Sequence, residues 1–275
     1  MPVIIDVTFD PMIARVGPIQ LSWASVFTTV GLVVAFWLGW RAATAYGVPS
    51  DQLGNIIFWI AIGGLIGGRL FQVLDHLPYY LAIPRDILAV DDGGISLLGY
   101  WVGGVIGVFG AARWTGIPAW GTLDALTPAA LVGQLIGWLG CLCTGATWGL
   151  PTGGAWGIVY WNPHDLLPPQ MLGVPTQPYP LYQVAGLLLI LASLRLGQRW
   201  LSVREGQVFL ATMLTYSGLQ FILASLRPES VSFHGLGATQ MVALSSMALL
   251  LMVTWYWFCS PWRGSVRSPE VTDGG

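Results

Sequence analysis

Seven apolar stretches, each about the length a helix needs to cross a bilayer, constrain this chain more than any other feature. They run over 20–44, 53–76, 95–113, 122–144, 180–198, 206–226 and 237–259. A hydrocarbon core of about 30 Å takes about 20 apolar residues in a helix. Backbone polar groups in that core must be satisfied internally, so helices or a closed barrel are the only options. Stretches of this length predict helices. Charged residues make up only 9% of the sequence, against about 25% in soluble domains. The expected fold is therefore an all-α integral membrane protein with seven transmembrane helices in a single polytopic domain spanning 1–275.

Arginine placement orients the chain. Every one of the 11 basic residues is an arginine, which excludes lysine Schiff-base chemistry, retinal attachment included. Arg41, Arg113, Arg195, Arg199, Arg204, Arg263 and Arg267 fall on one side, and Arg15, Arg85 and Arg227 on the other. The positive-inside rule then predicts an N-terminus outside, in the periplasm, and a cytoplasmic C-terminus. Several of the 15 tryptophans fall at stretch ends (Trp23, Trp40, Trp59, Trp114, Trp120, Trp200, Trp255, Trp257), as an interfacial belt would place them. A net charge of −2 argues against nucleic acid as a partner.

Three places carry chemistry. In "GGLIGGRLF" (63–71), Gly63/Gly67 and Gly64/Gly68 form overlapping G-x-x-x-G pairs ahead of Arg69. Small residues at that spacing allow close helix approach. A guanidinium in a spanning helix marks a functional site unless it snorkels to the interface. Arg227 ends the sixth stretch in "LASLRPES", where a surface ion pair with Glu229 is the alternative. Two such arginines suit a phospholipid phosphate, since each donates a fork of hydrogen bonds. Asp92, in "AVDDGGIS" (89–96), reads as a turn residue that caps the helix or orients a buried arginine. Asp124 and Pro128 open the fourth stretch, with a helix start as the simplest account.

His76, His164 and His234 are dispersed, and no spacing of histidines, carboxylates or the free-standing Cys141-x-Cys143 pair makes a metal site. No cofactor is expected. The Gly-, Pro- and Trp-rich loop 145–179 is too long and too apolar for a bare linker. It is expected to lie on the membrane surface or to cap a cavity.

Taken together, these motifs resemble the prolipoprotein diacylglyceryl transferase family over about Phe9 to Trp257. "FDPMIARVGPIQLSW", "GGLIGGRLF", "DDGGISLLG", "DALTPAALVGQLIGWLGCLCTGATWG", "QPYPLYQ" and "GQVFLATMLTYSGLQFILASLRPES" follow its order and spacing. Members move diacylglycerol from phosphatidylglycerol onto a lipobox cysteine thiol, so the resemblance implies a multi-pass bacterial inner-membrane protein that handles an anionic phospholipid.

The departures fall on the family's chemistry. Its signature R-x-G-N-x-x-N-G-E-x-W-G reads here with Trp138 for the arginine, Cys141 and Thr144 for the asparagines, and Ala146 for the glutamate. Leu98 replaces a histidine, and Ala24 a tyrosine. Gln177 and Gln183 stand for the His and Glu of H-P-S-Q-L-Y-E, while Gln220 and Ala224 stand for an arginine and a glutamate. Arg69, Asp92 and Arg227 survive. Thiol transfer needs a thiolate and stabilised charge on the phosphate leaving group. The expectation is a catalytically degenerate member with no catalytic residue, in which Arg69 and Arg227 contact a lipid phosphate and Asp92 orients one of them. Such a chain would serve as a lipid-binding or assembly subunit of a larger membrane complex. The alternative is a divergent active transferase with a base recruited from the outer face, such as His76 or His234. A small-solute transporter is a weaker reading, because paired repeats and broken helices are absent.

Overall fold

A computed structural model describes residues 3–16, 19–75, 77–87, 96–153, 156–201, 204–228, 231–233 and 235–259. Helices dominate: α1 (Trp23–Ala45), α2 (Ser50–Asp75), α3 (Leu77–Ala82), α4 (Leu97–Thr115), α5 (Ala119–Thr144), α6 (Tyr179–Leu201), α7 (Gln207–Ala224) and α8 (Ala238–Cys259). Six of them, α1, α2, α5, α6, α7 and α8, are long and apolar enough to cross a membrane. The remaining expected span, α4, is a 19-residue helix that contains Arg113 in its last turn and falls outside that set. Large apolar side chains face outward along the spanning helices, with Val33, Leu189, Leu249 and Met252 all more than 60% exposed. A soluble core would bury them; a bilayer receives them.

Local signals set the helix ends. Ser22 caps α1 by accepting from the Ser25 N–H, and the Ser25 hydroxyl answers at the Ser22 N–H, a reciprocal capping box. Gly145 ends α5 at φ 65°, in the left-handed region that glycine adopts without strain.

Glycine interdigitation joins α2 to α4. A Cβ on Gly103 would run into the Gly63 carbonyl, and one on Gly99 or Gly107 into the carbonyl of Gly67 or Trp59. The Gly63/Gly67 pair of α2 therefore meets a second glycine row on α4, and the two backbones touch. Gly31 and Gly133 bring α1 and α5 together in the same way.

Strands, which the sequence reading did not anticipate, gather outside the helices. β1 (Val3–Val7) pairs in parallel with β4 (Trp156–Tyr160), β2 (Met12–Val16) with β3 (Ile19–Ser22), and β5 (Val231–Phe233) with β6 (Leu236–Gly237). The loop after α5 is thus a cap. Val7, Ile158, Tyr160 and Leu167 form its buried core against Leu142, Trp148, Met171, Leu172 and Leu181.

One expectation is corrected. Asp124 does not start its own helix: α5 begins at Ala119 after Pro118. Its carboxylate instead caps a neighbour, Oδ2 accepting from the Gly206 N–H at 2.6 Å and Oδ1 from the Phe209 N–H at 2.8 Å. The N–H groups of the first turn of α7 lack helical partners, and a buried carboxylate satisfies them. Trp120 and Trp257, expected in an interfacial belt, also pack inward. Their rings sit 4.7 Å apart, centroid to centroid, and pack against the core around Val108, Leu123, Phe209 and Leu210.

Candidate functional site

The C-terminal ends of α5 and α7 and the N-terminal end of α6 converge beneath the cap, and hydrogen bonds from the loop fix them there. The Leu150 N–H donates to the Leu226 carbonyl and the Gln177 N–H to the Leu150 carbonyl, both at 2.8 Å. The Leu166 N–H reaches the Thr144 carbonyl at 3.0 Å, and the Tyr160 hydroxyl donates to the Leu142 carbonyl at 3.1 Å. Gly149 belongs here because a Cβ would lie 2.6 Å from that of Gln177.

Inside this junction the polar side chains form a ladder without charge. Gln134 Nε2 of α5 donates to the Tyr216 hydroxyl of α7. Gln183 of α6 and Gln220 of α7 exchange amide hydrogen bonds, Nε2 to Oε1 at 3.0 Å and back at 3.1 Å. Gln183 Nε2 also donates to the Tyr179 hydroxyl at 2.8 Å. Gln183 is 0% exposed, so a charge at its position would need a partner within reach. Trp138 packs its ring at 67° to that of Tyr179, 5.7 Å away. The Arg227 guanidinium lies over the same Tyr179 ring at 5.5 Å, a cation–π arrangement. Nearer the cap, Trp156 Nε1 donates to the Tyr182 hydroxyl at 3.0 Å, which donates to Gln177 Oε1 at 2.8 Å.

The altered signature positions line up accordingly. Trp138 and Cys141 are half-buried on α5, and Cys141, Cys143 and Cys259 are free thiols. Thr144 is buried and turns its hydroxyl to the Gly140 carbonyl at 3.1 Å, while Ala146 is exposed beyond the helix end. Ala24 sits at the α1–α5 crossing, where a Cβ on Gly140 would lie 2.9 Å from its Cα. Leu98 is in the first turn of α4. Asp92, His76, His234 and Glu229 lie outside the described residues.

Arg69 has different company. Its Nε donates to the Ile87 carbonyl at 2.9 Å, its Nη2 to the Asp86 carbonyl, and its guanidinium faces the Tyr80 ring at 5.3 Å. It ties α3 and the 3-10 turn Pro84–Ile87 to α2. The contacts described for Arg69 and Arg227 share no residue.

Charge reappears in the cap. His164 Nδ1 stands 3.4 Å from Asp10 Oδ2. Asp165, buried beside them, accepts the Asn162 N–H at Oδ2 while Oδ1 has no hydrogen-bond partner among the described residues. Burial raises its carboxyl to about 6 and Asp10 adds to the rise, against the Asn162 N–H and His164, which lower it.

The sequence reading did not single out Gln134, Tyr216 or Asp165. Glutamine and tyrosine inside apolar stretches were a usable signal for the first two, since polar residues at membrane depth bond across helices.

Residues 11–258 match the family described as prolipoprotein diacylglyceryl transferase. Among similar proteins, the phosphatidylglycerol–prolipoprotein diacylglyceryl transferase of Geobacter sulfurreducens is 31% identical over 250 residues, covering 88% of this chain and 92% of the relative. The protein of the same name from Cupriavidus pinatubonensis is 29% identical over 97% of this chain and 98% of its own length. That from Trichormus variabilis is 27% identical over 96% and 95%. With six helices of membrane-crossing length, the chain is a multi-pass protein of the bacterial inner membrane.

Proposed function

The chain belongs to the prolipoprotein diacylglyceryl transferase family, and from that premise we propose that it is a catalytically degenerate member that binds an anionic phospholipid and serves as a lipid-binding or assembly subunit of a larger membrane complex. The observation that carries this is the neutral ladder. Where the family's motifs place charged and basic groups, Gln183, Gln220, Gln177 and Trp138 make amide, phenol and aromatic contacts instead. A general base contributes about 10²- to 10⁴-fold and preorganised charge often more. Arg227 at this junction supplies only the second kind of help, and the carboxylate described near Tyr160, Asp165, belongs to the cap.

Arg227 lies over the face of Tyr179 at the junction, and its planar fork suits a phosphate. Arg69 donates to two backbone carbonyls, so it acts first as a tie and second as a lipid contact. Asp92 orienting one of them remains part of the proposal. In this reading α4 completes seven spans, with the N-terminus periplasmic and the C-terminus cytoplasmic; its backbone contact with spanning α2 along a whole glycine row supports that.

A second reading, a divergent active phosphatidylglycerol–prolipoprotein diacylglyceryl transferase, is favoured by relatives of that name covering nearly the whole chain. One experiment separates the two. Purified protein in phosphatidylglycerol nanodiscs, given a lipobox peptide, is followed by peptide mass. The degenerate reading predicts no diacylglyceryl adduct, retained phosphatidylglycerol and loss of that lipid in Arg227→Gln. An adduct forming at a rate far above a protein-free control would install the second reading.

A further inference from the structure

β1 is the edge of the cap's small sheet. Val7 stands opposite Tyr160, and its carbonyl accepts the Trp161 N–H at 3.2 Å. Alternate residues of a paired strand turn their backbone groups to opposite sides, so Ile5 and Val7 address β4 while Ile4 and Asp6 turn theirs away. β4 is met on its far side as well. There the Ile158 N–H donates to the Thr176 carbonyl at 2.9 Å, the Thr176 N–H returns at 3.0 Å, and the Gly173 N–H reaches the Tyr160 carbonyl at 2.9 Å. Among the described residues β1 has β4 as its one strand neighbour, and the N–H and C=O groups of Ile4 and Asp6 line its outer side.

Proteins blunt such an edge with lysine, proline, a bulge or an inward-pointing charge, because an open row of backbone groups templates further pairing. β1 has none of these devices. It reads VIIDV, without proline or lysine, and its pairing runs through five residues with no register shift. Its one charge is drawn toward the β4 side, where Asp6 Oδ1 accepts from Trp161 Nε1 at 2.9 Å. Ile4 and Ile5 are 36% and 38% exposed and lie on opposite faces of the strand, so an added strand finds apolar surface above and below it.

Charge narrows the occupant. Asp6 and Asp10 are both exposed and follow one another along this end of the chain, with buried Asp165 close enough to Asp10 to feel its charge. His164, which stands against Asp10, is charged only when protonated. Three carboxylates against one histidine suit a basic side chain on the incoming strand. A second copy of β1 suits them poorly, since it brings its own Asp6 and Asp10 to the same edge, and like charges across strands destabilise.

We propose that the β1 edge at Ile4 and Asp6 takes an added strand from another protein, an extended β-branched segment with a lysine or arginine that meets Asp6 or Asp10. Backbone hydrogen bonds supply the affinity in this mode, and the side chains beside the edge supply the selectivity. The inference rests on the assembly role proposed above and gives that role a surface.

The test titrates the full chain in phosphatidylcholine nanodiscs against a fluorescein-labelled peptide, Thr-Val-Lys-Val-Thr-Val, and reads anisotropy beside empty nanodiscs. Ile4→Pro removes one outward N–H and no bond to β4, the place where a strand tolerates proline. The wild type is expected to bind saturably. Ile4→Pro should bind about fivefold more weakly, the effect of one neutral hydrogen bond, while melting as wild type does. Methylating alternate amides of the peptide should weaken it about tenfold or more, and exchanging its lysine for glutamate several-fold. No saturable binding, or binding that neither Ile4→Pro nor methylation weakens, overturns the edge. Self-association of the wild type without peptide, lost in Ile4→Pro, would assign the edge to a second copy and overturn the proposed partner. The adduct assay above reads the degenerate reading separately: an adduct beside intact peptide binding removes that reading and leaves the edge.

Discussion

Removing the Asp124 carboxylate will unseat the N-terminus of α7, and the size of the effect follows from its two hydrogen bonds. Oδ2 and Oδ1 accept from the Gly206 and Phe209 N–H groups at 2.6 and 2.8 Å, and Asp124 is only 6% exposed. Each charge-assisted bond of this kind contributes about 1.5–3 kcal/mol, so the gross loss on Asp124→Ala is about 3–6 kcal/mol. Truncation also ends the cost of holding a carboxylate out of water, which brings the expected net to about 2–4 kcal/mol. Asp124→Asn keeps one carbonyl oxygen as acceptor and turns an NH₂ toward the other donor, so it should cost about half as much. The assay is reversible unfolding in mixed micelles followed by tryptophan fluorescence, with Trp120 and Trp257 packed beside the α7 terminus at Phe209. The predicted order is wild type, then Asn, then Ala. An Ala variant within about 0.5 kcal/mol of wild type, inside the usual range for surface changes, or an Asn variant as damaged as Ala, would refute the capping argument.

Gly103→Leu should abolish stable folding because its Cβ meets the Gly63 carbonyl, whereas Gly110→Ala, with nothing within 4 Å, should leave the melting temperature unchanged; thermal scans of both decide it. Gln183→Glu alone buries an unpaired charge beside Gln220 and is expected to lose about 3–5 kcal/mol, as is Gln220→Arg; the double variant, carrying opposite charges, should regain a large part of that loss in the same unfolding assay. Asp165 is expected to make the cap pH-sensitive. Its folded value of about 6 lies above the unfolded 3.8, so its contribution is fully present below about pH 4 and is lost as pH rises through 6. Proteolytic nicking of the loop should therefore quicken between about pH 4 and 6, and Asp165→Asn should flatten that profile.

Features governed by bulk hydrophobicity and by single-residue sterics were legible in the sequence. Six of the seven expected spans are helices of membrane-crossing length, and the Gly63/Gly67 row was readable as a contact surface because only glycine permits that approach. What lay on the far side of each contact was not. Gly103 and Gly107 sit at helical spacing on α4, but nothing local pairs them with α2 rather than with another helix. Asp124 shows the same gap: a carboxylate near a helix start points to a cap, and only the tertiary fold reveals that the capped helix is α7. The β1–β4 pair escaped because its strands lie about 150 residues apart, and the short local pairs β2–β3 and β5–β6 because strand preference depends on context more than helix preference does. At the candidate site, the positions of Trp138, Cys141, Thr144, Gln183 and Gln220 were readable one by one. That Gln183 and Gln220 hold each other as a reciprocal amide pair, and that Trp138 and Arg227 both address Tyr179, required coordinates.

Complementation tests the central claim most directly. The chain replaces the diacylglyceryl transferase of a conditional bacterial strain, membrane insertion is confirmed by fractionation, and lipoprotein processing is read by mass shift. The account predicts no rescue and no diacylglyceryl adduct while the protein is present and folded, because the ladder from Gln134 to Tyr179 offers no base. Rescue with normal lipoprotein mass, lost again on Arg227→Ala, would contradict it and would show that the transfer chemistry has been rebuilt on other residues of this chain.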